Sequence, residues 1–132
     1  MSRTKSLSDL QMAIMRVLWQ QGETTVAQVH EALHGERGLA MTTIATILSR
    51  LEKQGMVAHS ASGRQYVYRP LVFEAEVRRS MVADLIDRLF QGSSTALVSH
   101  LLQEAEIGPD DLARVRALLA AHERPKEQDD AD

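Results

Sequence analysis

Met41-Thr-Thr-Ile-Ala-Thr-Ile-Leu-Ser-Arg-Leu-Glu-Lys-Gln-Gly55 is the stretch on which the reading of this chain turns. Ile44, Ile47, Leu48 and Leu51 recur at steps of three and four, which lines them along one face of a helix. The opposite face carries Thr42, Thr43, Thr46 and Ser49, then the cations Arg50 and Lys53, and Gly55 supplies the stop. Short hydroxyls let a helix come close to a flat surface and hydrogen-bond to it, and the edge of a DNA groove is one such surface. An ordinary amphipathic helix with a solvated polar face has the same pattern. The neighbouring sequence has to decide between the two.

Upstream, Ser8 followed by Gln11 has capping-box spacing, and Leu10, Ile14, Val17 and Leu18 continue as an apolar stripe, widened by Met15 and Trp19, until Gly22. Thr25 and Gln28 repeat the spacing ahead of Val26, Val29 and Leu33, with Gly35 as the expected stop. Helix, turn, short helix, turn, longer helix is a helix-turn-helix with the third helix in the reading position. After Gly55 the period changes to two: residues 56–60 and 65–69 read as strands around a turn over 61–64. A hairpin at that place is the wing of a winged helix. Arg64 stands at its tip within reach of a phosphate, Tyr66 and Tyr68 share one face, and Pro70 ends it. Two strands alone are marginal, so this hairpin must lean on the helices.

The rest reads as helical. Phe73, Val77, Met81, Leu85 and Leu89 repeat every four residues, and Gly92-Ser-Ser-Thr95 breaks the pattern, with Ser94 or Thr95 capping the next helix. That helix carries Leu97, Val98, Leu101 and Leu102; a last one opens at Pro109 and carries Leu112, Val115, Leu118 and Leu119. Three helices with one stripe each close no large core alone, whereas two copies together do. The expected architecture is therefore mainly α, with a winged helix-turn-helix DNA-binding domain over residues 1–70. A three-helix dimerisation module follows over 71–122, then a disordered charged tail over 123–132. Its interface would draw on Val77, Met81, Leu85 and Leu89 of the long helix, Leu97, Leu101 and Leu102 of the next, and Leu112, Val115 and Leu119 of the last. A monomer whose helices fold back on the winged helix is the alternative. Charge agrees mildly with two jobs: residues 1–70 sum to +3 and residues 71–132 to −6.

Length and composition exclude several classes. The 132 residues suit one ordinary domain or a small one with a module appended, and the absence of cysteine removes disulfides, thiolate metal sites and cysteine nucleophiles. No apolar run approaches the ~18 residues of a membrane span, and the first residues lack the apolar segment of a signal peptide. The expectation is a cytoplasmic protein without membrane insertion or cofactor. His30-Glu-Ala-Leu-His34 matches the zinc-protease signature H-E-x-x-H, with both imidazoles on one helical face. The short helix and the lack of a third ligand in the sequence argue against a metal centre, leaving surface histidines or adventitious zinc. No other enzyme constellation is present, so no catalytic residue is assigned. His59, His100 and His122 are isolated in sequence and read as structural or solvated. Besides a zinc hydrolase, a winged-helix protein–protein adaptor remains as a competing reading.

The order of elements resembles the penicillinase-repressor family of bacterial transcription regulators, from about Leu7 to Leu119. The most specific pieces are residues 7–19, residues 41–55 and Tyr66-Val-Tyr-Arg-Pro70. The resemblance implies a homodimeric repressor on double-stranded, pseudo-palindromic operator DNA, each third helix in a major groove and each wing on the backbone. On the matching positions Thr42, Thr43 and Thr46 would face bases or nearby phosphates, while Arg50, Lys53 and Arg64 would neutralise phosphates. Thr25 would hold a phosphate through its hydroxyl and the helix N-terminus. Some members carry basic residues where this chain has Thr42 and Ala45, so their operator sequence does not transfer. The copper-responsive branch senses metal through C-terminal cysteines, which this chain lacks. In the beta-lactam branch a membrane sensor protease triggers cleavage of the repressor. The matching stretch here is Leu97-Val-Ser-His-Leu101, which keeps Leu-Val but differs around the scissile position. The resemblance implies a cut near His100–Leu101, and the alternative is that Leu97, Val98 and Leu101 are dimer core only.

Overall fold

In the computed structural model, which describes residues 7–104 and 107–123, two reciprocal capping boxes open the first two helices. The Gln11 N–H donates to Ser8 Oγ at 3.1 Å and the Ser8 N–H to Gln11 Oε1 at 3.0 Å, starting α1 (Asp9–Gln21). Thr25 and Gln28 make the same exchange at 3.1 and 2.8 Å and start α2 (Val26–Arg37). Each box satisfies two N–H groups that a helix end otherwise leaves without a partner.

α2 runs through Gly35, the expected stop, and ends instead at Gly38, which is left-handed (φ 59°, ψ 34°) and donates its N–H to the His34 carbonyl at 3.1 Å. A glycine inside a helix costs only about 1 kcal/mol relative to alanine. The left-handed position past a helix end, by contrast, positively selects glycine. The later of the two glycines is the one that terminates.

α3 (Met41–Lys53) closes as the sequence predicts, on Gly55 with φ 81°. The Met56 N–H donates to the Leu51 carbonyl at 2.9 Å and the Gly55 N–H to that of Glu52 at 3.0 Å, a Schellman closure. It turns the chain directly into β2 (Val57–Ser62), which pairs antiparallel with β3 (Gln65–Pro70). The strands extend further than the period predicts: Ser62 pairs with Gln65, leaving only Gly63 and Arg64 in the turn, and Pro70 is the last rung opposite Val57. A strand absent from the sequence reading, β1 (Thr24–Thr25), pairs Thr24 with Tyr68 and Thr25 with Val67. The sheet therefore has three strands in the order β1-β3-β2 and does not rest on a bare hairpin.

Ile14, Met15 and Leu18 of α1 meet Val29 and Leu33 of α2, Ile44, Leu48 and Leu51 of α3, and Val57 and Tyr68 of the sheet in one core. Trp19 packs against it and donates its indole N–H to the Val72 carbonyl at 2.9 Å. Burial, then the Glu52 carboxylate, then Tyr66 push the Tyr68 phenol above its ordinary pKa of 10.0. The unfolded chain therefore loses this proton first as pH rises. The contribution is complete below pH 10.0 and disappears as pH climbs through the folded value. Thermal melts between pH 8 and 11 are expected to show wild type losing stability relative to Tyr68→Phe only above about pH 10. A gap between the two that stays constant across that range would contradict it.

α4 (Glu74–Phe90) begins on this core: Val77 is fully buried in it and Met81 packs against it. Val77, assigned by its stripe to a dimer face, thus lies inside its own chain's core with no surface left for a partner. Steps of four overshoot a helical turn by about 40° each, so the stripe rotates away from the core, and Leu89 is 66% exposed. The chain divides into two compact units within α4, between Leu85 and Ile86.

In the second unit, Ser93 caps α5 (Ser94–Gln103), accepting from the Ala96 N–H at 3.0 Å, one residue before the expected Ser94 or Thr95. α6 (Pro109–Glu123) starts with Pro109 in its first turn, and the Gly108 carbonyl accepts from the Leu112 N–H at 2.8 Å. Neither α5 nor α6 contains a buried residue. The charged tail past Glu123 lies outside the described residues. No helix among the described residues is long and apolar enough to cross a membrane.

Candidate nucleic-acid interface

The periodicity of α3 sorts its side chains as the sequence predicts: Ile44, Leu48 and Leu51 are buried, and Thr42, Thr43, Thr46, Arg50 and Lys53 are exposed. Four of these five come together. Thr42, Thr43, Thr46 and Arg50 line one shallow depression with Ile47, which the periodicity assigns to the buried face but which is only half-buried, so hydroxyls, a β-branched apolar edge and a guanidinium face the same space. Lys53 stands beyond it in the last turn, where it and Arg50 also complement the negative end of the helix. Among the described residues, no carboxylate pairs with Arg50, Lys53 or Arg64.

The start of α3 differs from the other hydroxyl-capped helices. Its N-cap is Ala40, which offers no side-chain acceptor, whereas α1, α2 and α5 each begin on a serine or threonine that does. The first turn of α3, at the positive end of the helix dipole, therefore has no side-chain cap, and the Thr43 N–H donates to the Ala40 carbonyl at 3.1 Å.

Thr25 and Arg64 do not join that depression. They share a neighbouring cleft of about 410 Å³ with Val26, Ala27, Met41, Gln65 and Tyr66, between the start of α2, the start of α3 and the wing. The Thr25 hydroxyl oxygen already accepts from Gln28, which leaves its O–H hydrogen as a donor toward this cleft. Met41 (44% exposed) and Tyr66 (52% exposed) are lining residues that the sequence did not single out as functional. Met41 is hidden from a periodicity argument because it precedes the first buried turn.

Two histidine arrangements are also resolved. His30 and His34 stack at 5.4 Å on α2, as their spacing requires, and among the described residues no group of three His, Cys, Asp or Glu converges to hold a metal. His59, isolated in sequence, has specific partners: its Nδ1 lies 2.7 and 2.9 Å from the two carboxylate oxygens of Glu52, and its ring stacks on Tyr66 at 4.1 Å. The missing signal is simple: Glu52 belongs to a helix and His59 to a strand, and nothing local pairs them.

A three-helix core, a three-stranded sheet ending in the β2–β3 wing and a third helix with one exposed face make the first unit a winged helix-turn-helix. Residues 7–121 match the model of the penicillinase repressor family, and the chain belongs to that family. It is 34% identical to the transcriptional regulator BlaI of Mycobacterium tuberculosis, over 91% of this chain and 87% of that protein. It is 23% identical to the penicillinase repressor of Bacillus licheniformis, over 97% of this chain and all of the relative. The solved DNA-binding domain of the repressor BlaI is 30% identical, with a TM-score of 0.51 over 58% of this chain and 93% of that domain. The family consists of DNA-binding transcriptional repressors and not enzymes, which removes the hydrolase reading of His30, Glu31 and His34.

Proposed function

We propose that this chain represses transcription as a homodimer on a pseudo-palindromic operator, reading bases with α3 and holding backbone with the wing. The observation that carries the DNA reading is the common depression of Thr42, Thr43, Thr46 and Arg50 on a helix face without a paired carboxylate. Threonine hydroxyls take base-edge donors or acceptors and their methyls pack on the thymine methyl, while Arg50 and Lys53 hold phosphates. Arg64 and Thr25 approach a further phosphate from the two sides of their shared cleft.

The dimer reading rests on apolar surface. α5 and α6 bury no residue, while Leu89, Leu102 and Leu119 are each at least half exposed. Exposed leucines on three helices that bury little of their own are what a partner surface offers, and a second copy would cover the same residues on both chains at once by symmetry. With Val77 excluded, the proposed interface comprises the outward part of α4 with α5 and α6. The bond between His100 and Leu101 lies inside α5, so proteolytic release through a membrane sensor pathway requires that helix to open locally first.

The experiment is binding to duplexes selected from a random-sequence pool, repeated across salt concentrations. Each lost phosphate contact flattens the slope of log affinity against log salt by about 0.9, so Arg50→Ala is expected to weaken binding and reduce the slope. Thr43→Ala is expected to erase discrimination between selected and random DNA by roughly tenfold while sparing non-specific affinity. Equal losses on all sequences would assign Thr43 to the backbone, and an unchanged salt slope for Arg50→Ala would remove that residue from the interface.

A further inference from the structure

We infer that Glu52 and His59 are positioning residues of the wing: together they fix where Arg64 stands relative to the reading face of α3. The inference rests on the proposed DNA reading, since it concerns the placement of groups assigned there. Glu52 lies in the last turn of α3, between Leu51, which anchors that turn in the core, and Lys53. His59 lies on β2, opposite Tyr68 in the register. Both carboxylate oxygens converge on the one imidazole nitrogen, at 2.7 and 2.9 Å, and join helix to strand across seven residues. The joint continues outward. The face of the His59 ring lies on Tyr66, with planes 24° apart and centroids 4.1 Å apart, and Tyr68 closes the other approach at 5.5 Å. Tyr66 in turn lines the cleft that holds Arg64 and Thr25. An unbroken row of contacts thus leads from the end of the reading helix to the cleft assigned to the backbone.

Energetics favour positioning over fold maintenance. The two side chains are about one-third exposed, at 31% and 34%, so water screens the pair and its contribution to stability is small. The hairpin is already closed at its base by the Leu71 N–H on the Met56 carbonyl at 2.8 Å and is paired to β1. What the pair adds is a fixed angle for the distal half of the wing, past the reach of β1, which pairs only with Tyr68 and Val67. Nδ1 donates to Glu52 whether the ring is neutral or charged, so an acceptor oxygen at residue 52 and a donor at residue 59 are the required chemistry.

Two readouts test this on the full chain. In the first, spin labels are placed through Ser49→Cys and Ser62→Cys, both exposed, in a chain that has no cysteine of its own. The distance distribution between them is expected to broaden with Glu52→Ala or His59→Ala, and to stay narrow with Glu52→Gln and His59→Asn, which retain the acceptor and the donor. Thermal midpoints are expected to move by less than about 4 °C in all four. A distribution unaffected by the alanine variants overturns the inference without reference to DNA. In the second, His59→Ala is expected to weaken operator binding about fivefold in wild type but less than twofold in Arg64→Ala, because groups acting through one another are non-additive. The same loss in both backgrounds overturns action through the wing tip. If Arg64→Ala alone binds DNA like wild type, the phosphate assignment of Arg64 is what has failed, and the label distances still decide the joint.

Discussion

A chain carrying Leu89→Asp and Leu119→Asp is expected to sediment as a monomer and to lose roughly 100-fold or more in operator affinity. Both leucines are more than half exposed, at 66% and 55%, so aspartate meets solvent in a single chain and the first unit should melt unchanged. In a dimer the same positions would bury four carboxylates, each costing several kcal/mol without a partner. The affinity loss follows from linkage. Two half-sites bound by one dimer benefit from an effective concentration that separate monomers lack, typically worth 10²–10⁴. A double variant that is monomeric yet binds the full operator like wild type would separate the two modules and end the dimer account. One that stays dimeric would place the interface elsewhere.

Leu48→Ala is expected to cost about 3 kcal/mol and to lower the melting temperature of the winged helix by roughly 10–20 °C. Leu48 is fully buried on α3 between Ile44 and Leu51, where the helix meets the core. The cost combines lost transfer free energy with a cavity that packed neighbours cannot refill. Against a total stability of about 5–15 kcal/mol this is a large fraction. Thr46→Ala, two residues earlier and on the exposed face, should leave the melt alone and act on DNA binding only. A loss below about 1 kcal/mol for Leu48→Ala would mean that the buried and reading faces of α3 are assigned the wrong way round.

What the sequence discloses and what it conceals divides by range. Ser8 with Gln11 and Thr25 with Gln28 are legible because each capping box is complete within four residues. The burial of Ile44, Leu48 and Leu51 is legible because a period of 3.6 needs no partner to be recognised. β1 is not legible: two threonines have no period, and only Tyr68 and Val67, more than forty residues away, make them a strand. Gly35 and Gly38 both look like stops, and the choice rests on which one the backbone takes left-handed. Val77 and Leu89 belong to one stripe in sequence and to opposite fates in space, because a four-residue repeat winds around a helix and cannot stay on one side. On the interface side, the threonines and Arg50 follow from the same period that buries the core, whereas Met41, Tyr66 and the Glu52–His59 joint depend on which elements become neighbours.

The pairing of Thr24 with Tyr68, and of the Trp19 indole with the Val72 carbonyl, also dictates when this domain can exist at all. These bonds close early chain onto late chain, the second across 53 residues. During synthesis the residues of the two capped helices emerge first, but they lack the strand and the carbonyl that complete their surroundings until residue 72 has emerged. The winged helix is thus assembled in one late event, with loop closure paid before its contacts exist. A ribosome paused anywhere before that point holds a chain that lacks the partners closing its own core.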